Sequence, residues 1–408
     1  MANTGQSHAL DMTKGSPMRL LMQFSLPLFF GNLLQQCYNL ADTAIAGHLL
    51  GDAALAQIGA TAALYSLIMN FAFGLNNGMA LTVSRSFGAG DEKKMRQATC
   101  WMVTLAVAWS LLLTIVFLGI RRPLLGWLQV PAETLDGALQ YLTVILAGIP
   151  LTMAYNLESA MLQSVGDSML PLRLLLFSSV LNIGLDFLFM GPLGLGVRGA
   201  AIATVLAQFI VMTVLVLGVI RDGKKNVLSE CYLFRPSEKK YYQGIFRIGV
   251  PTALQSTAYC AISMVLTRMV ADFGPAAVAV QRVGGQVEAL SWNTADGFAA
   301  SINAFSAQNY GAGKMDRIRN GYWIAFRTIA AWGCLIMALF FIFPEPLSEI
   351  FFHEAEAIQI SVSYFLIIGI SEAFMSVELM TIGALSGLGR TRLCSIISIV
   401  FTGSRIPF

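Results

Sequence analysis

Residues 202–220, IATVLAQFIVMTVLVLGVI, run for 19 positions without a charged side chain. A helix that crosses a bilayer needs about 20 mainly apolar residues. A helix on the surface of a soluble protein would need a polar face instead, and this stretch has almost none. We therefore predict that this segment spans a membrane.

The rest of the chain is built from similar segments. Of its 408 residues, 56% are hydrophobic and 12% are charged, whereas about 25% of the residues in a soluble domain are charged. An eleventh apolar segment begins near residue 393, and the ten before it lie near residues 20–48, 54–84, 96–119, 137–163, 170–190, 198–220, 244–271, 277–307, 319–343 and 359–386. The sequence predicts an all-α integral membrane protein.

The two halves of the chain repeat each other at a spacing of 223 residues. The matched positions include Gly88-Ala89-Gly90 with Gly311-Ala312-Gly313, Pro123 with Pro346, Tyr141 with Tyr364, and Gly166 with Gly389. Each repeat would hold six spans, which is an even number, so both repeats enter the membrane with the same orientation. We predict two parallel-repeat six-helix lobes.

The repeat also predicts the domain boundaries. The N-lobe is expected at residues 1–220 (spans 1–6) and the C-lobe at 244–408 (spans 7–10 and part of span 11). A polar cytoplasmic inter-lobe linker would occupy 221–243. Twelve spans are expected for two complete lobes, and we expect the last one and a half to be missing from this chain.

The charged residues predict the orientation of the protein. With the N-terminus inside, most Lys and Arg residues fall in loops on the cytoplasmic side, as the positive-inside rule requires. The largest groups are Lys93, Lys94 and Arg96, then Lys224, Lys225, Lys239 and Lys240, and then Lys314, Arg317 and Arg319. These short clusters adjoin a membrane, so we expect the lipid bilayer and no nucleic acid as a partner.

Four polar residues of the first half are predicted to share one layer of the membrane. Asp42 (span 1), Asp186 (span 5) and Thr204 (span 6) fall at similar depth, and Asn182 lies one helical turn before Asp186. Two carboxyl groups in one dry site repel each other, so one would hold a proton or both would ionise around a cation. Such oxygen ligands suit Na⁺ better than a transition metal. Alternatively, the two acids cap helix ends or bond backbone groups near the interface.

Pro27 lies 15 residues before Asp42 in the same span. A proline inside a helix removes one backbone hydrogen bond and kinks the helix. We interpret Pro27 either as a hinge for a moving helix or as a simple kink.

The second half carries a different set of charges, and none of the acids inside its spans follows the repeat. Two readings remain open for this C-lobe polar patch, a cation-binding patch for a substrate or an ion-paired structural network in which Arg282 joins an acid. The patch consists of Arg282, Glu288, Asp296, Glu372 and Glu378.

Other motifs have structural explanations. The three histidines are far apart, and no nucleophile motif or metal-ligand spacing is present, so we expect neither an enzyme nor a bound cofactor. Gly194 to Gly199 spells G-x-G-x-x-G between two spans, where a tight turn is favoured over a nucleotide site. The G-x-x-x-G pairs at 74–78 and 383–387 predict close helix packing.

Together these features resemble the multidrug and toxic compound extrusion (MATE) family. The resemblance covers essentially the whole chain and is closer to DinF-like and archaeal-type members than to NorM-like ones. Its motifs are Pro27, Asn39-Leu-Ala-Asp42-Thr43, Gly88-Ala89-Gly90, Gln163-Ser-Val-Gly166-Asp167, Asn182-x-x-x-Asp186, Gly199-Ala-Ala-Ile-Ala-Thr204 and Gln308-Asn309-Tyr310-Gly311-Ala312-Gly313. The resemblance implies a V-shaped pair of six-helix lobes and a first-lobe cation site at Asp42, Asn182, Asp186 and Thr204.

The resemblance also implies a function. A bacterial inner-membrane antiporter of this kind exports cationic, amphipathic organic compounds in exchange for H⁺ or Na⁺, and we expect a monomer. A subset of aromatic residues, Tyr38 and Tyr155 among them, could stack on a flat organic cation in a cavity. A flippase for lipid-linked precursors is an alternative, and a membrane-embedded enzyme is a more remote one.

Overall fold

The computed structural model describes residues 10–128, 130–222 and 239–403. Most of the predicted linker, 223–238, lies outside these ranges. Apart from turns and one short 3₁₀ turn, the described residues form thirteen α-helices. They are α1 (Pro17–Leu50), α2 (Asp52–Gly88), α3 (Glu92–Trp127), α4 (Ala132–Ala147), α5 (Ile149–Ser164), α6 (Met169–Met190), α7 (Gly196–Asp222), α8 (Lys239–Val270), α9 (Pro275–Gly311), α10 (Met315–Ile342), α11 (Pro344–Glu349), α12 (Ala355–Gly387) and α13 (Thr391–Gly403).

The prediction of a helical membrane protein is confirmed. Among the described helices, α2, α3, α6, α7, α10 and α12 are long and apolar enough to cross a bilayer, and α4 with α5 would add a seventh span. Helices α1, α8 and α9 are also long, at 34, 32 and 37 residues. Of these three, α1 and α9 carry polar side chains of the predicted sites.

The predicted fourth span, 137–163, is not one straight helix. The structure divides it into α4 and α5, which meet at Gly148 with a bend of 47°. Pro150 stands in the first turn of α5, where its missing N–H costs no helical bond and its ring prevents continuation from α4. By contrast, α1 continues through Pro27 as one helix.

The chain forms two compact units. Unit 1 contains Met1–Leu10 and Phe30–Thr257, and unit 2 contains Asp11–Phe29 and Ala258–Phe408. Helices α1 and α8 are therefore each divided between the units, α1 two residues after Pro27. The lobe boundaries expected from the sequence stay a prediction.

The repeated glycines occupy turns that only glycine adopts without strain. Gly90 and its counterpart Gly313 have φ angles of 67° and 72°, and Gly166 and Gly389 have 90° and 77°. A β carbon disfavours this left-handed conformation. In the first turn, Asp91 caps α3 by accepting the Lys94 backbone N–H at 3.0 Å. That contact and the Lys94 ammonium group lower the pKa of the Asp91 carboxyl.

The core of unit 1 is formed by α2, α3, α4 and α5 around buried residues such as Met79, Met102 and Leu142. The glycine pair of α2 brings this core against α8. A β carbon on Gly78 would lie 2.7 Å from the Cα atom of Gly249. The predicted close packing of this G-x-x-x-G pair is confirmed.

In unit 2, α9, α10 and α12 pack together. Gly383 and Gly387 meet the backbone of α9 at Ala299 and Asn303, so the second G-x-x-x-G prediction is confirmed as well. The end of α9 also holds the segment that precedes α1. Gln308 accepts the Met12 backbone N–H at 2.9 Å, and Asn309 donates to the Met12 carbonyl at 3.1 Å.

We expect Gly78→Ala to lower the free energy of unfolding by about 1–3 kcal/mol, because the added β carbon must push α2 away from α8. The matched control is Gly59→Ala, on an exposed face of α2 where a β carbon meets nothing within 4 Å. Thermal unfolding in detergent measures both. Equal melting temperatures would contradict the packing role of Gly78.

Candidate functional site

An acid pair lies in the interior of unit 1. Asp42 of α1 and Asp186 of α6 face each other closely enough for their carboxyl groups to share a hydrogen bond. Asp186 is fully buried, with 0% of its surface exposed. Both residues lie inside their helices, so they do not cap helix ends.

Asn182 holds the acid pair in place. The donors and acceptors around its amide orient Nδ2 toward Asp186 Oδ2, at 2.9 Å, and toward the Tyr38 hydroxyl, at 3.2 Å. Its amide oxygen accepts the Thr204 backbone N–H at 3.0 Å. The structure thus brings the four predicted residues together, whereas their role in cation coupling stays a prediction.

Two tyrosines lie near the pair, and a third adjoins them. Tyr38 and Tyr141 are electrostatically coupled to both acids, and Tyr65 is coupled to these two tyrosines. Tyr65 and Tyr141 were not predicted as part of the site. For Tyr141 the sequence held a signal, since it is one of the positions kept by the repeat.

The carboxyl groups are incompletely bonded. Oδ1 of Asp42 and Oδ1 of Asp186 are both buried, and neither has a hydrogen-bond partner among the described residues. A buried polar atom without a partner is costly. A proton held on either carboxyl group supplies a donor, so the arrangement is suited to taking up and releasing a proton.

A small recess of about 40 Å³ adjoins the pair on the side that leads along α1 from Asp42 toward Gln35. Tyr38, Asn182 and Thr204 belong both to this recess and to the hydrogen-bond network of the acids. Its lining comprises Gln35, Tyr38, Tyr155, Leu175, Ser178, Ser179, Asn182, Thr204, Ala207 and Gln208. None of these ten side chains is charged.

Unit 2 brings two of the predicted patch residues together. The Tyr364 hydroxyl donates to Glu288 Oε2 at 3.3 Å, and Glu372 is electrostatically coupled to both residues. Glu372 has 0% exposure. The Ser291 hydroxyl lies near the Glu372 carboxyl group, yet neither carboxyl oxygen has a hydrogen-bond partner of normal geometry in the described part of the chain.

The other three patch residues do not join this group. Arg282, Asp296 and Glu378 all lie on exposed faces of their helices. Within the described ranges, no ion pair connects Arg282 to an acid, so the suggested pairing of Arg282 with Glu288 or Glu372 is not found. Of the predicted patch, only Glu288 and Glu372 lie together, and Tyr364 joins them.

Two repeated bundles of membrane helices, with buried acids in each and a recess in the first, are the architecture of a membrane transporter. A family model described as MatE matches the chain twice, at residues 27–188 and 251–408. The protein therefore belongs to the MATE family, the multidrug efflux transporters. The two matches begin 224 residues apart, which confirms the internal repeat.

Related proteins agree with this assignment. The chain is 28% identical over 388 residues to a probable multidrug resistance protein NorM of Thermotoga maritima, covering 91% of this chain and 80% of that protein. It is 26% identical over 407 residues to a probable multidrug resistance protein YpnP of Bacillus subtilis, covering 98% and 89%. The solved structure of a variant of the Vibrio cholerae MATE transporter VcmN superposes with a TM-score of 0.86 at 26% identity, covering 94% of this chain and 86% of that one.

We expect Glu372→Gln to leave the thermal stability of the protein unchanged or to raise it. The substitution breaks no hydrogen bond of the carboxyl group, and an amide costs less to bury than an ionisable acid. Glu378→Gln, on the exposed face of the same helix, is the matched control. A clear fall in melting temperature for Glu372→Gln alone would show that Glu372 belongs to a structural ion-pair network instead.

Proposed function

We propose that this protein is a proton-coupled antiporter that exports cationic, amphipathic organic compounds across the cell membrane. The observation that carries the proposal is the buried contact between Asp42 and Asp186 beside an uncharged recess. Acids inside a membrane are expensive, and they mark proton or ion pathways. The names of the relatives as multidrug resistance proteins support drugs as the substrate class.

We take H⁺ rather than Na⁺ as the coupling ion, in keeping with the orientation that the surrounding protein groups favour for the Asn182 amide. A sodium ion needs several oxygen ligands. Asn182 turns its NH₂ group toward Asp186 and uses its oxygen for the Thr204 backbone N–H. The Thr204 hydroxyl in turn donates to the Ala200 carbonyl at 3.1 Å. These contacts leave Asp186 facing a hydrogen-bond donor and one oxygen of each carboxyl group without a partner, which suits a change in protonation.

Pro27 supports a mechanical role for α1. The helix carries Asp42 in its second half and divides between the two units two residues after Pro27. The proline removes one backbone hydrogen bond at this point, which softens the helix. We propose that a change in the protonation of Asp42 alters the bend of α1 at this hinge and so favours release of the substrate.

The alternative of a lipid-precursor flippase receives less support. A lipid-linked precursor carries phosphate, which basic side chains would bind. None of the ten residues that line the recess of unit 1 is basic.

We expect Asp42→Asn to abolish ethidium efflux driven by a pH gradient, because an amide cannot take up and release the coupling proton. The measurement is dye efflux in membrane vesicles with pH and Na⁺ gradients imposed separately. Asp52→Asn, at the exposed start of α2, makes the same chemical change away from the site and serves as the control.

Two outcomes would contradict this proposal. Unimpaired pH-driven efflux by Asp42→Asn would remove Asp42 from the coupling mechanism. Efflux by the native protein that responds to a Na⁺ gradient and ignores the pH gradient would replace H⁺ by Na⁺ as the coupling ion.

A further inference from the structure

Unit 1 contains a third membrane-embedded acid, Glu158 of α5, that neither the sequence analysis nor the coupling site includes. Its side chain is half-buried, and its Oε2 atom is buried without a hydrogen-bond partner in the described structure. Among the described residues, Glu158 takes part in no salt bridge. A buried carboxyl oxygen of this kind needs a donor or a cation nearby, which a proton on the group or a bound cationic ligand supplies.

Glu158 lies next to the recess. Residues three positions apart on a helix are neighbours on one face, and Tyr155, which lines the recess, is electrostatically coupled to Glu158. Tyr155 thereby connects the carboxyl group to the space in which a ligand would sit.

Glu158 is also well separated from the acid pair. The Thr152 hydroxyl donates to Gln208 Oε1 at 2.6 Å, which places these two residues at the same level of α5 and α7. Thr204 lies four residues before Gln208 in α7, and Glu158 lies six residues after Thr152 in α5. Thr204 and Glu158 are therefore displaced from this level in opposite directions. At 1.5 Å per residue, Glu158 is about 15 Å from the level of Thr204 along the helices. The two acidic groups therefore lie toward opposite ends of the recess.

We propose that Glu158 binds the positively charged nitrogen of the organic cation that this protein transports, with the ring of Tyr155 against the aromatic body of that cation. This inference rests on the proposed function and assigns its substrate contact. A carboxylate in a water-poor site attracts a cation strongly, and an aromatic ring adds a cation–π contact. Asp42 and Asp186 then exchange the coupling proton, while Glu158 selects substrates by charge.

Equilibrium binding of ethidium, a permanent aromatic cation, tests the proposal. It is measured by fluorescence on the purified protein in liposomes without any ion gradient, so the result does not depend on the coupling ion. We expect Glu158→Gln to raise the Kd by about tenfold or more, because it removes the charge and keeps the shape. Glu158→Asp keeps the charge and should retain most of the affinity. Glu133→Gln, at an exposed position on α4, is the matched control.

A second measurement uses the native protein and needs no variant. A hydrophobic carbodiimide modifies buried carboxyl groups, and mass spectrometry locates the modified residue. We expect ethidium to protect Glu158 from this reagent and to leave the modification of Glu372 in unit 2 unchanged. Lack of protection at Glu158 would overturn the proposal even if Glu158→Gln failed to fold.

The outcomes separate this inference from the proposed function. An unchanged Kd in Glu158→Gln would overturn the assignment of Glu158 and leave proton coupling at Asp42 intact. Loss of ethidium affinity in Glu158→Gln, together with normal pH-driven efflux by Asp42→Asn, would support the substrate contact and reject the coupling proposal.

Discussion

The contact between Asp42 and Asp186 is the constraint around which the interior of unit 1 is organised. Two carboxyl groups in an apolar, water-poor interior cannot both ionise without a large electrostatic cost. The surrounding residues limit that cost. Asn182 donates to Asp186, and the same amide donates to the hydroxyl of Tyr38, which lines the recess. These contacts leave an oxygen of each carboxyl group without a partner, so the pair is held in place and remains free to change its protonation.

The internal repeat explains the scaffold and one part of its chemistry. Its matched glycines form left-handed turns in both halves, and its matched tyrosines take equivalent surroundings. Tyr141 lies beside Asp42 and Asp186, and Tyr364 lies beside Glu288 and Glu372. The acids themselves come from α1 and α6 in unit 1 but from α9 and α12 in unit 2. The repeat thus places a half-buried tyrosine next to an acid pair in each unit, while the acids themselves lie at positions that the repeat does not match.

The sequence predicted the membrane helices and the grouping of Asp42, Asn182, Asp186 and Thr204, because depth along a span follows from the residue count. It did not predict the helix face on which a lone charge lies. Glu372 and Glu378 are six residues apart on α12, yet one is buried and the other exposed. For the same reason the sequence did not indicate Glu158 as a site residue, because its surroundings depend on how α5 packs against α7. The bend between α4 and α5 was not predicted either, since Gly148 and Pro150 fit a continuous apolar span.

The position of the recess offers a physical route from proton to substrate. Tyr38, Asn182 and Thr204 form one end of its wall, and Asn182 is hydrogen-bonded to the other two and to Asp186. In the coupling proposed above, a proton arriving on Asp186 would weaken its hydrogen bond with the Asn182 N–H, and the freed amide would turn into the recess. The shape and polarity of the wall would then change without any contact between the proton and the substrate. A substrate held about 15 Å further along, at Glu158, would thus respond to the acid pair through the wall they share rather than by competing for the same carboxyl groups.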